Sequence, residues 1–233
     1  MASELPRSLP SAGYQIQQAV KMALADGHAL LQVDIQNQRT TSVDLTRPIL
    51  EALPEPVSIL FATGTAGLAE ERWPSIPPDC QLIDVGLRDR LLRRDWKTLV
   101  LVDGSSIDLP VLDEIVQPAR QRPVLIVNNW PEAPGTIGTG RGSPKKRKEF
   151  REKVEVIYYL QATRFVPLVI SRQYPGPWCV WEDQGPGAYK LLEEFTKAPT
   201  TKDLERLSKK VPFPGPIQIW NRFWGGPNFF RAW

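Results

Sequence analysis

Three aspartates stand where a carboxylate could do chemistry: Asp34 in HALLQVDIQ, Asp84 in CQLIDVG and Asp103 in KTLVLVDGS. Each lies at or near the end of an apolar run of strand length, and Asp103 leads into Gly104, Ser105 and Ser106. Two carboxylates can hold a metal, and one can act as a general base. Open α/β sheets bind ligands beyond the carboxyl ends of their strands. Asp34, Asp84, Asp103 and Ser105 are therefore the candidate polar site. Aspartate is also a common turn former and helix cap, which accounts for each of them without a ligand. The chain has one histidine, His28, which opens an apolar run and reads as structural. No nucleophile–base constellation is visible, and no catalytic residue is assigned. Cys80 and Cys179 sit in or beside apolar runs and read as reduced core residues. Neither a metal nor a cofactor is expected.

Glycines between a strand and a helix, as in FATGTAGLAEE, can cradle phosphate on free N–H groups. Here Gly64 and Gly67 fit neither GxGxxG nor GxxxxGK[ST], and a plain tight turn is the expectation. Two other stretches are candidates for binding. GTIGTGRGSPKKRKEFREK is rich in glycine and carries Arg141, Lys145, Lys146, Arg147 and Lys148 before Glu149 and Glu152 dilute the charge. Such a run suits an anionic partner or membrane surface, although a solvated helix face has the same composition. WNRFWGGPNFFRAW closes the chain with Trp220, Phe223, Trp224, Phe229, Phe230 and Trp233. Aromatics with arginines suit protein interfaces and membrane–water interfaces, or pack back on the domain itself.

The elements that position these residues are legible as runs. LPSAGYQIQQAVKMALADG reads as an amphipathic helix with Ser11 as cap, Gly27 as stop and Ile16, Val20, Ala23 and Leu24 on one face. A strand follows at 28–36. SVDLTRPILEAL is a helix capped by Asp44 or Ser42. VSILFAT, CQLIDVG, KTLVLVDGS and RPVLIVNN are further strands, with helices TAGLAEERW and DLPVLDEIVQPARQ between them. Alternating strand and helix over this length predicts a parallel sheet covered by helices. Unbroken apolar strands predict burial of both faces. After the glycine-rich segment, VEVIYYLQA, FVPLVISRQYP and PWCVWED read as an antiparallel meander. GAYKLLEEFTKAPTTKDLERLSKKV reads as two helices broken at Pro199, with Thr200 or Thr201 capping the second. The expectation is an α/β, Rossmann-like three-layer fold, mostly parallel with an antiparallel C-terminal extension. Residues 1–211 form the single α/β domain and 212–233 the aromatic C-terminal tail.

A net charge of +3, from 29 Lys+Arg against 26 Asp+Glu, does not mark a dedicated nucleic-acid binder. No apolar stretch reaches the ~20 residues of a membrane-spanning helix. The first residues lack a signal-peptide apolar region and the Arg and Ser of a transit peptide, so a cytoplasmic protein is expected.

Several stretches, in this order, resemble a domain family of unknown function from cyanobacteria and plastids. It includes the plant low photosystem II accumulation (type three) proteins and a C-terminal region of a plastid adenylate-kinase-like protein. The resemblance begins at LPSAGYQIQQAVKMALADG and LLQVDI, continues through ILFATGTAGLA, RPVLIVNN and KEFREKVEVIYYL, and ends with ISRQYPGPWCVWED and YKLLEEF. In that family an acidic residue often follows the phenylalanine of the FATGTAGLA segment, where this chain has Ala62 and Thr63. The resemblance implies a non-enzymatic accessory or assembly factor in photosynthetic membrane biogenesis. Its expected partners are photosystem II subunits or assembly factors, with peripheral contact at the thylakoid membrane and no nucleic acid. The alternatives are a nucleotide- or small-molecule-binding enzyme using the sheet edge, and an RNA- or ribosome-associated protein using the basic loop.

Overall fold

A computed structural model describes residues 4–35, 41–61, 65–84, 86, 96–103, 109–117, 122–128, 149–150, 152–163, 167–185 and 187–211. Nine strands form one sheet: β1 (Leu30–Ile35), β2 (Val57–Phe61), β3 (Cys80–Asp84), β4 (Thr98–Val102), β5 (Val124–Val127), β6 (Glu155–Ala162), β7 (Leu168–Gln173), β8 (Trp178–Gly185) and β9 (Ala188–Phe195). The order across the sheet is β3-β2-β4-β5-β1-β6-β7-β8-β9. From β3 to β6 every pairing is parallel. From β6 to β9 every pairing is antiparallel. β6 belongs to both halves, so the fold is the expected mixed α/β sheet with its antiparallel extension.

Among the described residues the helices α1 (Leu9–Ala25), α2 (Ser42–Ile49), α3 (Thr65–Arg72), α4 (Leu109–Val116) and α5 (Thr201–Ser208) accompany it. The central strands β1, β2, β4 and β5 are buried along their whole length. That explains their unbroken apolar runs, because a parallel strand between two helical layers has no solvent face. Right-handed crossovers put helices on opposite faces when the chain reverses its direction across the sheet. From β1 to β3 the chain moves one way, with α2 and α3 packed beside α1 in one apolar cluster. From β4 to β5 it moves back, and α4 packs on the other face with Leu99, Leu101, Val124 and Ile126. α5 lies on that same face, over β6 to β8.

Three local expectations are corrected. Ser8 caps α1, and Ser11 is its reciprocal partner in a capping box. Thr41, one residue before Ser42, caps α2, and Asp44 is its reciprocal partner and not the cap. Residues 188–195 form the edge strand β9 and not a helix. A register shift opposite Val180 and Trp181 lets Leu192 and Phe195 face α5 while Tyr189 and Leu191 face the α1 side. That break gives the segment a helix-like spacing of apolar residues within a strand. Thr200 does cap α5, as expected.

Candidate functional site

The carboxyl ends of β4, β5 and β1 stand side by side at the centre of the parallel half. The chain leaves β1 toward α2 on one face of the sheet. It leaves β4 toward α4 on the other. The chain that follows β5 returns to β6 through Phe150, which packs with α4. The boundary between β5 and β1 is therefore a point where connections diverge, and such divergence opens the crevice that α/β proteins use for ligands.

A chain of hydrogen bonds occupies this boundary. The backbone N–H of Asn128 donates to the Val33 carbonyl at 2.8 Å, fastening the end of β5 to β1. Its side-chain Oδ1 accepts from the Ile35 N–H at 2.8 Å. Its Nδ2 donates to the Ser42 hydroxyl at 3.3 Å. Ser42, the first residue of α2, donates in turn to Asp103 Oδ1. The N–H of Asp103 donates to the Val127 carbonyl at 3.0 Å. One helix and three strand ends are thus tied through three side chains. The half-buried carboxylate of Asp103 ends the chain.

Two backbone features fix this geometry. Asp103 and Asn128 have φ of 56° and 46°, in the left-handed region. Asp and Asn tolerate it better than other residues with a side chain, because a short polar group bonds locally. Here it turns both side chains from their strand alternation toward α2. Asn128 and Ser42 are buried, and Asp103 is half-buried. Burial raises the Asp103 carboxyl above its ordinary value, and the Ser42 hydroxyl pulls it partly back. The site therefore offers an oriented hydroxyl and a carboxyl that holds its proton more readily than a free one. Both can meet a polar ligand, and either can exchange hydrogen bonds with it.

The other expected residues are placed differently. Asp34 is at the same edge, but β5 separates β1 from β4, a spacing of roughly 10 Å. Its carboxylate accepts from Gln32 Nε2 at 2.5 Å. Gln32 and Asp34 alternate with Leu31, Val33 and Ile35, which pack with α1, so the pair lies on the α4 face. Asp34 and Asp103 do not form a carboxylate pair. Asp84 ends the edge strand β3, two strands beyond β4, and accepts from the Gly86 N–H at 3.0 Å in a local turn. His28 precedes β1 at the opposite edge, where its ring meets Tyr174 at 5.5 Å. Ser105 lies outside the described residues. So do Ala62, Thr63 and Gly64, the basic residues Arg141, Lys145, Lys146, Arg147 and Lys148, and the tail from 212 to 233 with Trp220, Phe223, Trp224, Phe229, Phe230 and Trp233. Ser42 and Asn128 are the residues that sequence reasoning missed. Asn128 has one signal, a polar residue directly after an apolar run, which many turns share, and Ser42 is marked only as a candidate helix cap.

Among the described residues no three His, Cys, Asp or Glu side chains gather as metal ligands. No helix of the described residues is long and apolar enough to cross a membrane. A family model described as a domain of unknown function (DUF1995) matches residues 6–206. No curated protein matches the chain.

Proposed function

We propose, from the premise that this chain belongs to the family of the domain of unknown function DUF1995, that it works by binding at the edge where β4, β5 and β1 end. The observation that carries this is the Asn128–Ser42–Asp103 chain of hydrogen bonds, built at a divergence of connections and ending on a half-buried carboxylate. Oriented polar groups at that place suit recognition, since ligand sites combine a mostly apolar lining with a few placed polar groups. The resemblance of the motif order supports the wider role: an accessory factor in photosystem II assembly, with photosystem II subunits or assembly factors as partners. In that role Arg141, Lys145, Lys146, Arg147 and Lys148 approach an anionic membrane surface and the aromatic tail settles at its interface. Two weak signals together give useful attachment where one does not.

Affinity capture tests both halves. The immobilised full chain is exposed to solubilised photosynthetic membrane, and retained proteins are identified by mass spectrometry. Photosystem II subunits or assembly factors are retained by the wild type and reduced about tenfold or more by Asp103→Lys. Equal retention by a folded Asp103→Lys moves binding away from the sheet edge, and no retention by either ends the assembly role. Vesicle flotation of the full chain against one ending at Pro212 tests the membrane contact separately.

One observation favours a second reading, a small-molecule enzyme at the same edge. Ser42 accepts from Asn128 and donates to Asp103, an orientation in which a carboxylate can take a hydroxyl proton as an activated nucleophile requires. A fluorophosphonate adduct on Ser42, absent in Asp103→Asn, supports it; an unmodified Ser42 in folded protein dismisses it.

A further inference from the structure

The sheet has two edges, and they are finished differently. β3 is short, five residues, none of them exposed. β9 is eight residues long and exposes Ala188, Lys190 and Glu194. Among the described residues no strand pairs with its outer side. At about 3.3 Å per residue, β9 offers an edge of about 26 Å whose outward N–H and C=O groups form a template for another strand.

Two features of β9 ordinarily deter such pairing. One is the lysine, and the other is the extra residue at the register shift opposite Val180 and Trp181. A second copy of β9 accommodates both. Residues opposite one another share a face of the sheet. Glu193 is opposite Val180, and Lys190 is opposite Glu182, whose other neighbour is Leu168, so both lie on the α5 face. Tyr189 and Glu194, opposite Asp183 and Cys179, lie on the α1 side. A two-fold axis normal to the sheet pairs β9 with its copy in antiparallel and keeps each face with its like. Placed between Leu191 and Leu192, the axis sets Lys190 against Glu193 of the second copy, twice, on the α5 face. It also sets Tyr189 against Glu194 and Ala188 against Phe195. The two irregular steps then fall opposite each other at the axis. Moving the axis onto Leu191 opposes Tyr189 to Glu193, and moving it onto Leu192 opposes Lys190 to Glu194. Both pairs come from unlike faces.

The charged groups are in place for this contact. Lys190 makes no ion pair among the described residues. Glu193 accepts from both terminal nitrogens of Arg206, at 2.7 and 2.8 Å, and a carboxylate has lone pairs for a further donor. Arg206 also brings α5 over this edge, so the two α5 helices flank the pairing on one face. A parallel strand added beyond β9 directly after α5 needs a left-handed crossover, because β9 runs opposite to β1 and α5 lies on the α4 face. Chains almost never make one. Charge complementarity and handedness together favour a second copy over the chain's own continuation.

We propose that the outer edge of β9 is a self-association surface, where two copies pair antiparallel through Lys190 and Glu193 and join their sheets into one. The surface is independent of the edge where β4, β5 and β1 end, since β6, β7 and β8 stand between β1 and β9.

The test is sedimentation equilibrium of the full chain, which is expected to show a concentration-dependent dimer. Lys190→Glu and Glu193→Lys each set like charges against one another twice. Each alone is expected to raise the dimer dissociation constant about tenfold or more. An equimolar mixture of the two variants joins opposite charges at both contacts again. It is expected to return to within about threefold of the wild-type constant. Glu193→Lys also releases Arg206 within its own copy, so thermal melting of each variant checks that it is folded. Hydrogen exchange gives a readout without substitution: β9 amides are expected to exchange more slowly in the dimer than after dilution to monomer. A wild-type chain that stays monomeric at millimolar concentration overturns the proposal. So does a dimer whose dissociation constant neither folded variant changes, since another surface then holds it. A mixture no tighter than the variants alone overturns the register. β9 amides already protected in the monomer, and released in a chain ending at Pro212, show that the chain's own tail fills the edge, which overturns the proposal as well.

Discussion

The two faces of this sheet are built to different plans. On the α1–α3 face the apolar surface runs unbroken from Ala69 and Phe61, across Val33 and Ile35, to Val169 and Trp181 at the far side. On the α4–α5 face it is two clusters with Gln32 and Asp34 between them. A continuous face shares every packing defect among many neighbours, so it specifies the fold. A divided face leaves each half more nearly independent and keeps a buried, hydrogen-bonded polar pair in the middle. The same strand, β1, contributes to both plans by the alternation of its side chains.

Changes at five positions probe that difference, from the largest expected effect down. Phe61 is fully buried on the continuous face and lies against Trp73 at 6.2 Å. Phe61→Ala is expected to lose about 4–5 kcal/mol of unfolding free energy in urea, and Phe150→Ala on the divided face nearer 3 kcal/mol. Equal losses would mean that the polar strip does not separate the two clusters. Asn128→Ala strands the buried Ile35 N–H and puts a side chain without local hydrogen bonding at a φ of 46°. The expected loss is about 2–4 kcal/mol, and Asn128→Gly recovers about 1 kcal/mol of it by removing the backbone strain. A glycine variant no better than alanine would show that the hydrogen bonds alone matter. Gln32→Met removes a buried polar group from the strip with little change of volume. Stability is expected to fall by only about 1–2 kcal/mol, because the loss of the amide donor to Asp34 is offset in part by removal of an orphaned acceptor. A large loss there would make Gln32 structural and erase the contrast with Asn128.

The smallest effect is a pH dependence. Asp103 has its carboxyl raised in the folded state, so between its unfolded and folded values the native protein binds the extra proton. Stability contributed by this group therefore falls as pH rises through that interval. The penalty is complete above the folded value and absent below the unfolded one. Asp103→Asn keeps an acceptor for Ser42 and sheds the charge. It is expected to melt higher than wild type at neutral pH, with the difference closing as pH is lowered past the ordinary aspartate range. A gap that widens toward acid would reverse the sign and place the carboxylate in a favourable field.

How much of this was legible in the sequence depends on distance along the chain. The strands of the parallel half announce themselves because burial on both faces demands unbroken apolar runs, as in Leu99 to Val102. The helix caps are nearly legible: the sequence points to Ser11 and to Asp44 or Ser42, and reciprocal hydrogen bonding puts the caps at Ser8 and Thr41. β9 was not legible, since the register shift that gives Leu191, Leu192 and Phe195 a helical spacing is set by its partner strand. The edge site was visible only in part. Asp103 is marked by its place after a strand. Asn128 gains its meaning from Ile35, 93 residues away, and from Ser42, 86 residues away. Those meetings require the order β4-β5-β1, which no local pattern encodes. The Gln32–Asp34 pair reads locally as an ordinary polar–apolar alternation, and only the burial of both faces makes it unusual.

β6 has a consequence for the order of events when the chain folds. On one side it joins strands linked by short hairpins, where closing each loop costs little entropy. On its other side it pairs with β1, more than a hundred residues earlier in the chain. Local pairings form quickly and distant parallel ones slowly. The meander from β6 to β9 is therefore expected to gain protection first in pulsed hydrogen exchange. It would then serve as the template on which β1 docks, with β5 and β4 added outward from it, so that the edge carrying Asn128, Ser42 and Asp103 is completed only after the meander has formed.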